Sequence, residues 1–233
     1  MAKTLVFIPS YNDHFHLDEI IEYIINLSET HIVLVVDDGS ALPIKIKSGS
    51  KRVYSFRIPY NAGLGIGLNI ALDFAKSKNI DVLVRIDSDG QHPLSDLNSL
   101  ANSLTKQNKD ISLGCRKNAE LTDGFVNILK TICKKYMTFI LWFLVGIKAN
   151  DPHTGFYAMS KNGIEKMSNI SFSRYPETQL LLEAKAVGLT IGSIDIYSRE
   201  REHDQSSIRF WDAIFIFLRF HVSVLDYFLK KVI

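Results

Sequence analysis

The stretch Asp87-Ser88-Asp89-Gly90-Gln91-His92-Pro93 concentrates the groups best suited to chemistry in this chain. It leaves Val82–Ile86, which reads as a strand. Carboxylates two positions apart on an extended chain project to one side, so Asp87 and Asp89 can face a single divalent cation. Gly90 permits the tight turn, and Gln91 offers a further oxygen ligand. Hard oxygen ligands of this kind suit Mg2+ or Mn2+ held jointly with substrate phosphates, not in a closed protein cage. An Asp-x-Asp pair alone equally describes a surface turn that caps a helix. The strand before it and the Gly-Gln-His-Pro after it favour metal and phosphate. Gly63, Gly65 and Gly67 are spaced Gly-x-Gly-x-Gly, which is not the dinucleotide fingerprint, and this argues against an NAD enzyme. His92, His153 and His203 show no metal-ligand spacing, and Cys115 and Cys133 define neither a metal site nor a disulfide framework.

Such groups need a scaffold that brings strand ends together. Thr4–Ile8, Ile32–Val36, Arg52–Ile58, Val82–Ile86 and Asp110–Gly114 read as strands, and Leu17–Leu27, Gly65–Ser77 and Leu94–Thr105 as the helices between them. Pro93 suits the start of the third helix. The alternation predicts an α/β fold with a mostly parallel sheet and helices on both faces. In such sheets ligands bind at the carboxyl ends of the strands, where the acidic and glycine clusters fall. The second half carries apolar-aromatic helices over Phe125–Val145 and Phe210–Lys231. The expected organisation is a nucleotide-binding domain over 1–207 and a C-terminal amphipathic helical appendage over 208–233.

The composition sets limits. A chain of 233 residues with 46% hydrophobic and 22% charged content forms a core without staples. A net charge of +2 excludes the basic field of a nucleic-acid binder. No signal peptide is read at the N-terminus, and no segment has the length of about 18 apolar residues expected of a membrane span. A cytoplasmic protein is expected. On the C-terminal helix, Arg209, Asp212, Arg219, Ser223, Asp226 and Lys230 make one narrow polar stripe. The apolar remainder is wider than one packing face requires and fits a membrane interface, which would make the protein peripheral at the cytoplasmic face. The same face serves equally well for packing the two apolar helices on each other or on a partner subunit in a homodimer.

Pro9-Ser10-Tyr11-Asn12-Asp13, Val36-Asp37-Asp38-Gly39-Ser40, Asn61-Ala62-Gly63-Leu64-Gly65, Asp87–Pro93, Gly114-Cys115-Arg116 and Asp151-Pro152-His153-Thr154-Gly155-Phe156 occur in this order. Pro176-Glu177-Thr178-Gln179-Leu180, Arg201 and Ser206-Ser207-Ile208 follow. The series resembles glycosyltransferase family 2, which has the GT-A fold, and in particular its branch of dolichol-phosphate mannose synthases and bacterial polysaccharide-assembly relatives. The resemblance implies an inverting, metal-dependent transfer from a UDP- or GDP-linked sugar to a lipid-linked or glycan acceptor. It assigns Pro9, Tyr11, Asp13, Asp38, Asn61, Gly63, Asp87, Ser88 and Arg116 to the donor, with Asp38 on the base. It assigns Asp87, Asp89 and Gln91 to Mg2+ or Mn2+, and Asp151, Glu177 and Arg201 to the acceptor side and catalysis.

Some positions depart from the family pattern. Asp13 stands for the commoner Glu, Cys115 for Ser, and Gln179 for the Glu of the mannose synthases. Glu177 lies near the family's catalytic base, but equally suits a helix N-terminus; a phosphate acceptor needs no base. The alternatives are a non-catalytic nucleotide-sugar or membrane-associated binding protein, and a sugar nucleotidyltransferase, whose glycine-rich basic N-terminal loop is missing.

Overall fold

The computed structural model describes residues 2–13, 15–116, 125–148, 151–197 and 210–232. Seven strands form one sheet: β1 Thr4–Ser10, β2 His31–Asp37, β3 Val53–Arg57, β4 Val82–Arg85, β5 Ile111–Arg116, β6 Tyr157–Ser160 and β7 Ile191–Ile196. Their order is β3-β2-β1-β4-β6-β5-β7. All pairings are parallel except those of β6, which runs antiparallel between β4 and β5. The mostly parallel α/β sheet is as expected, but β6 and β7 have no clear signature in the sequence. β6 is four residues long and its partners lie far away in the chain.

Side chains alternate across the sheet with the period of two that a strand imposes. Leu5, Phe7, Leu34, Val36 and Leu83 face one layer of helices; Val6, Ile8, Val33, Val35 and Val84 face the other. The second layer is α1 Leu17–Leu27 and α3 Leu97–Lys106, which bury Leu17, Ile20, Ile21, Ile24, Leu97, Leu100 and Leu104. The apolar spacing of Leu17–Leu27 delimits α1 correctly, whereas Leu94–Asp96 forms a 3-10 turn before α3 begins.

The first layer contains α2 Leu64–Ser77, α5 Lys161–Met167 and α6 Glu177–Ala186. Two longer helices lie at its edge: α4 Phe125–Ile140, continued by a π-helical turn Leu141–Val145, and α7 Phe210–Val232. Met137, Leu141, Phe220, Val224 and Tyr227 are buried against the core. Tyr136 hydrogen-bonds His221 across α4 and α7, and Lys230 pairs with Glu183 of α6. The opposite surfaces stay bare: Phe143 is 66% and Leu225 64% exposed, with Phe139, Trp142, Phe215, Leu218, Val222 and Leu229 beside them in sequence. Among the described residues, no helix is long and apolar enough to cross a membrane.

Candidate active site

A cleft of about 680 Å3 opens at the carboxyl ends of β1, β2 and β4, the place the fold reserves for ligands. Pro9, Tyr11, Asp13, Asp38, Asn61, Gly63, Asp87, Ser88, Asp89, Arg116, Asp151 and Glu177 all line it. Gln91 lies in the same turn, but its side chain is buried and is not part of the lining; its N–H donates to Asp89 Oδ1 at 3.1 Å. Arg201, His203 and Ser206-Ser207-Ile208 lie outside the described residues.

The two aspartates at the end of β2 have different partners. Asp37 accepts the Ser40 N–H at 2.9 Å and the Arg57 guanidinium at 2.8 Å. Burial opposes its ionisation, but these partners and the Ile44 N–H hold its pKa below the ordinary value. Asp38 grips the glycine loop: Ala62 N–H donates to one carboxylate oxygen and Gly63 N–H to the other, both at 2.8 Å. Gly39, with φ of +72°, lets the loop approach; a Cβ there would meet the Tyr60 carbonyl carbon at 2.3 Å. Arg174 donates to the Asn61 backbone and side chain, so the loop is pinned from both sides.

β4 ends at Arg85, which places Asp87 and Asp89 in the turn beyond it. Asp87 Oδ1 accepts from Arg85 at 3.0 Å and Oδ2 pairs with His92 Nε2 at 3.1 Å. Burial disfavours its charge, but Arg85 and then His92 outweigh that and hold it well below the carboxylate range. Gly155 makes this placement possible, since a Cβ there would lie 2.2 Å from Asp87 Oδ2. Asp89 keeps one oxygen without a partner among the described residues. Two further carboxylates of the lining are also paired: Asp151 with Lys134 at 2.8 Å, and Glu177 with Arg85 at 3.3 Å. Burial lowers the His153 pKa, with Glu177 and Asp151 opposing.

The lining holds six carboxylates (Asp13, Asp38, Asp87, Asp89, Asp151, Glu177) and four cations (Arg85, Arg116, Lys134, Arg174). The two extra carboxylates leave a formal charge that one divalent cation would balance. Among the described residues, no three acidic, histidine or cysteine groups form a closed cage. This donor set fits an ion that takes its remaining ligands from phosphate and water. Arg85, Lys134 and Arg174 are site residues that the sequence reading missed. Lys134 reads as one of several lysines flanking an apolar helix. Arg85 carried a signal: a charge at an inward position of a buried strand.

Comparison with known proteins agrees with this architecture. Polyprenol monophosphomannose synthase from Mycolicibacterium smegmatis is 27% identical over 209 residues, covering 86% of this chain and 78% of that protein. UDP-N-acetylglucosamine–dolichyl-phosphate N-acetylglucosaminyltransferase from Methanococcus voltae is 24% identical over 226 residues, 88% of this chain and 90% of that one. Glucosyl-3-phosphoglycerate synthase from Mycobacterium tuberculosis, solved with Mn2+, UDP and phosphoglyceric acid, superposes with a TM-score of 0.71 at 15% identity, over 97% of this chain and 78% of that chain. The same protein with Mg2+ and UDP gives 0.69 at 16% identity, over 97% and 79%. The model of glycosyl transferase family 2 matches residues 5–168, and the chain is a glycosyltransferase belonging to that family.

Proposed function

We propose that this enzyme moves a sugar from a UDP- or GDP-linked donor to a polyprenyl phosphate or related lipid-linked acceptor, inverting the anomeric centre. The observation that carries the reading is the cleft itself. It has the Asp87–Asp89 turn, the cations Arg116 and Lys134, and an apolar wall of Met137, Ile216 and Phe217. One relative is named for a polyprenol monophosphomannose and the other for a dolichyl-phosphate, and the neighbouring structures hold UDP with Mn2+ or Mg2+.

In this reading Pro9, Tyr11 and Asp13 border the nucleoside. Asp38 acts by holding the Asn61–Gly63 loop against it, and its oxygens retain lone pairs for the base. Asp87 and Asp89 hold Mg2+ or Mn2+, with Gln91 supporting Asp89 through its N–H. When bound, the ion supplies Lewis-acid neutralisation of the departing diphosphate. Arg116 offers a planar donor to phosphate oxygens, and Arg201 is assigned there with it. Lys134, held by Asp151, orients toward an anionic acceptor. A phosphate oxygen is already ionised near neutral pH and attacks C1 with no proton to remove. Glu177, ion-paired to Arg85, therefore holds position and is not required as a base.

The apolar wall runs outward onto α4 and α7, whose exposed aromatic and aliphatic side chains are flanked by Lys135, Lys148 and Arg219. The outer surface of α7 serves here to lie on the cytoplasmic membrane face and bring the cleft to an acceptor embedded in lipid. Calorimetric titration with UDP and with GDP, each with and without Mn2+, tests the donor half. Metal-dependent binding of one nucleotide is expected, and no binding of either by folded protein overturns the reading.

A further inference from the structure

We propose that Arg85 is a positioning residue that ties the donor and acceptor halves of the site together through one guanidinium. The proposal rests on reading the cleft as a transferase site. Leu83 and Arg85 share a face of β4, and Arg85 occupies an inward position with its side chain only 4% exposed. A buried cation is costly unless it is paired. Its partners are two carboxylates of the cleft lining carried by different elements. Nη2 lies 3.0 Å from Asp87 in the metal turn, and Nη1 lies 3.3 Å from Glu177, the first residue of α6 and 92 positions away in sequence.

Among the described residues these two carboxylates accept the hydrogen bonds of the guanidinium, and the Tyr157 hydroxyl lies in electrostatic contact with it. Arg85 Nε makes no hydrogen bond, nor does the buried Tyr157 hydroxyl, although the Tyr157 ring lies 5.8 Å from the guanidinium carbon. Asp87 is fixed further by His92 and by its close approach to Gly155. Glu177 continues the segment Ser173–Pro176, where Arg174 secures Asn61 of the glycine loop. One cation shared by two carboxylates makes them competitors: weakening its hold on Glu177 strengthens its hold on Asp87. The side chain at 177 therefore tunes the donor turn without touching the donor.

The test is a double-mutant cycle on the full chain with Arg85→Gln, Glu177→Gln and the double variant. Thermal midpoints and the dissociation constant for UDP or GDP with Mn2+ are measured for each. Glu177→Gln is expected to shift the Mn2+–nucleotide constant by about fivefold in the presence of Arg85, and by less than about twofold in Arg85→Gln. Should Arg85→Gln fail to fold, Glu177→Asp replaces it. This variant keeps the charge and is expected to return the constant to within about twofold of the parent. Additive effects in the cycle, or an unchanged constant in Glu177→Gln, overturn the positioning role alone. A parent protein that binds neither nucleotide overturns the functional reading and this proposal with it.

Discussion

Replacing Asp38 by Asn changes one atom of a nearly buried carboxylate and tests how the glycine loop at the cleft is held. In the native protein its two oxygens accept the Ala62 and Gly63 N–H groups at 2.8 Å each. Hydrogen bonds to a charged acceptor contribute about 1.5–3 kcal/mol each. Asparagine preserves one of them and turns an NH2 group toward the other donor. One bond is lost and two donors face each other, at a cost of about 2–3 kcal/mol. For a chain of this size each kcal/mol lowers Tm by about 2–4 °C, so a fall of about 4–12 °C is expected by differential scanning calorimetry. Because Asn61 and Gly63 line the cleft, nucleotide affinity is expected to weaken by about tenfold in the same protein. Asp38→Ala should be at least as severe. A Tm within about 1 °C of the parent, with unchanged nucleotide affinity, would refute the clamp.

Other perturbations probe separate parts of the molecule. Gly155→Ala drives a Cβ to within 2.2 Å of Asp87; overpacking costs about 1–3 kcal/mol, and activity should fall at least tenfold in a turnover assay because Asp87 must move. Asp89→Ala should abolish turnover while leaving the thermal midpoint close to the parent, since this partly exposed turn residue is not core; half-retained activity contradicts the metal assignment. Burial opposes ionisation of Asp110, but the Thr190, Asn162 and Ser160 donors together depress its pKa. Its stabilisation is therefore complete above the unfolded carboxylate value of about 4 and is lost as pH falls through the lower folded value. Asp110→Asn should lower Tm at pH 7, with the gap to the parent closing in acid thermal scans. Replacing the exposed Trp142 and Phe143 by Ser should reduce co-sedimentation with anionic liposomes and leave nucleotide affinity intact; parent protein that never co-sediments argues against the membrane face.

Local patterns were legible wherever one residue's environment follows from its neighbours. Leu17, Ile20, Ile21 and Ile24 mark α1 because a helix buries one stripe, and Asp38, Asn61 and Asp87 fall on the cleft because they end or follow parallel strands. Non-local pairings were not legible. Tyr157–Ser160 enters between β4 and β5 only because the sheet has a gap there, a fact no window of four residues contains. The partner of a charge is equally hidden: nothing near Lys134 announces Asp151, and nothing near Arg85 announces Glu177. On α7 the sequence shows one polar stripe, while the fold buries Phe220, Val224 and Tyr227 and leaves Leu218, Val222 and Leu225 outside. Which apolar positions become core depends on where α4 and α6 lie.

Transfer of sugar to a lipid phosphate is measured with radiolabelled UDP- and GDP-sugars, a short-chain polyprenyl phosphate as acceptor, and Mn2+ added or chelated. Label is expected in the organic phase from one donor class, dependent on the metal and on Asp89. No transfer to the lipid phosphate by protein that binds the nucleotide, with label appearing instead on a soluble sugar hydroxyl, would contradict the proposed acceptor and return Glu177 to the role of base.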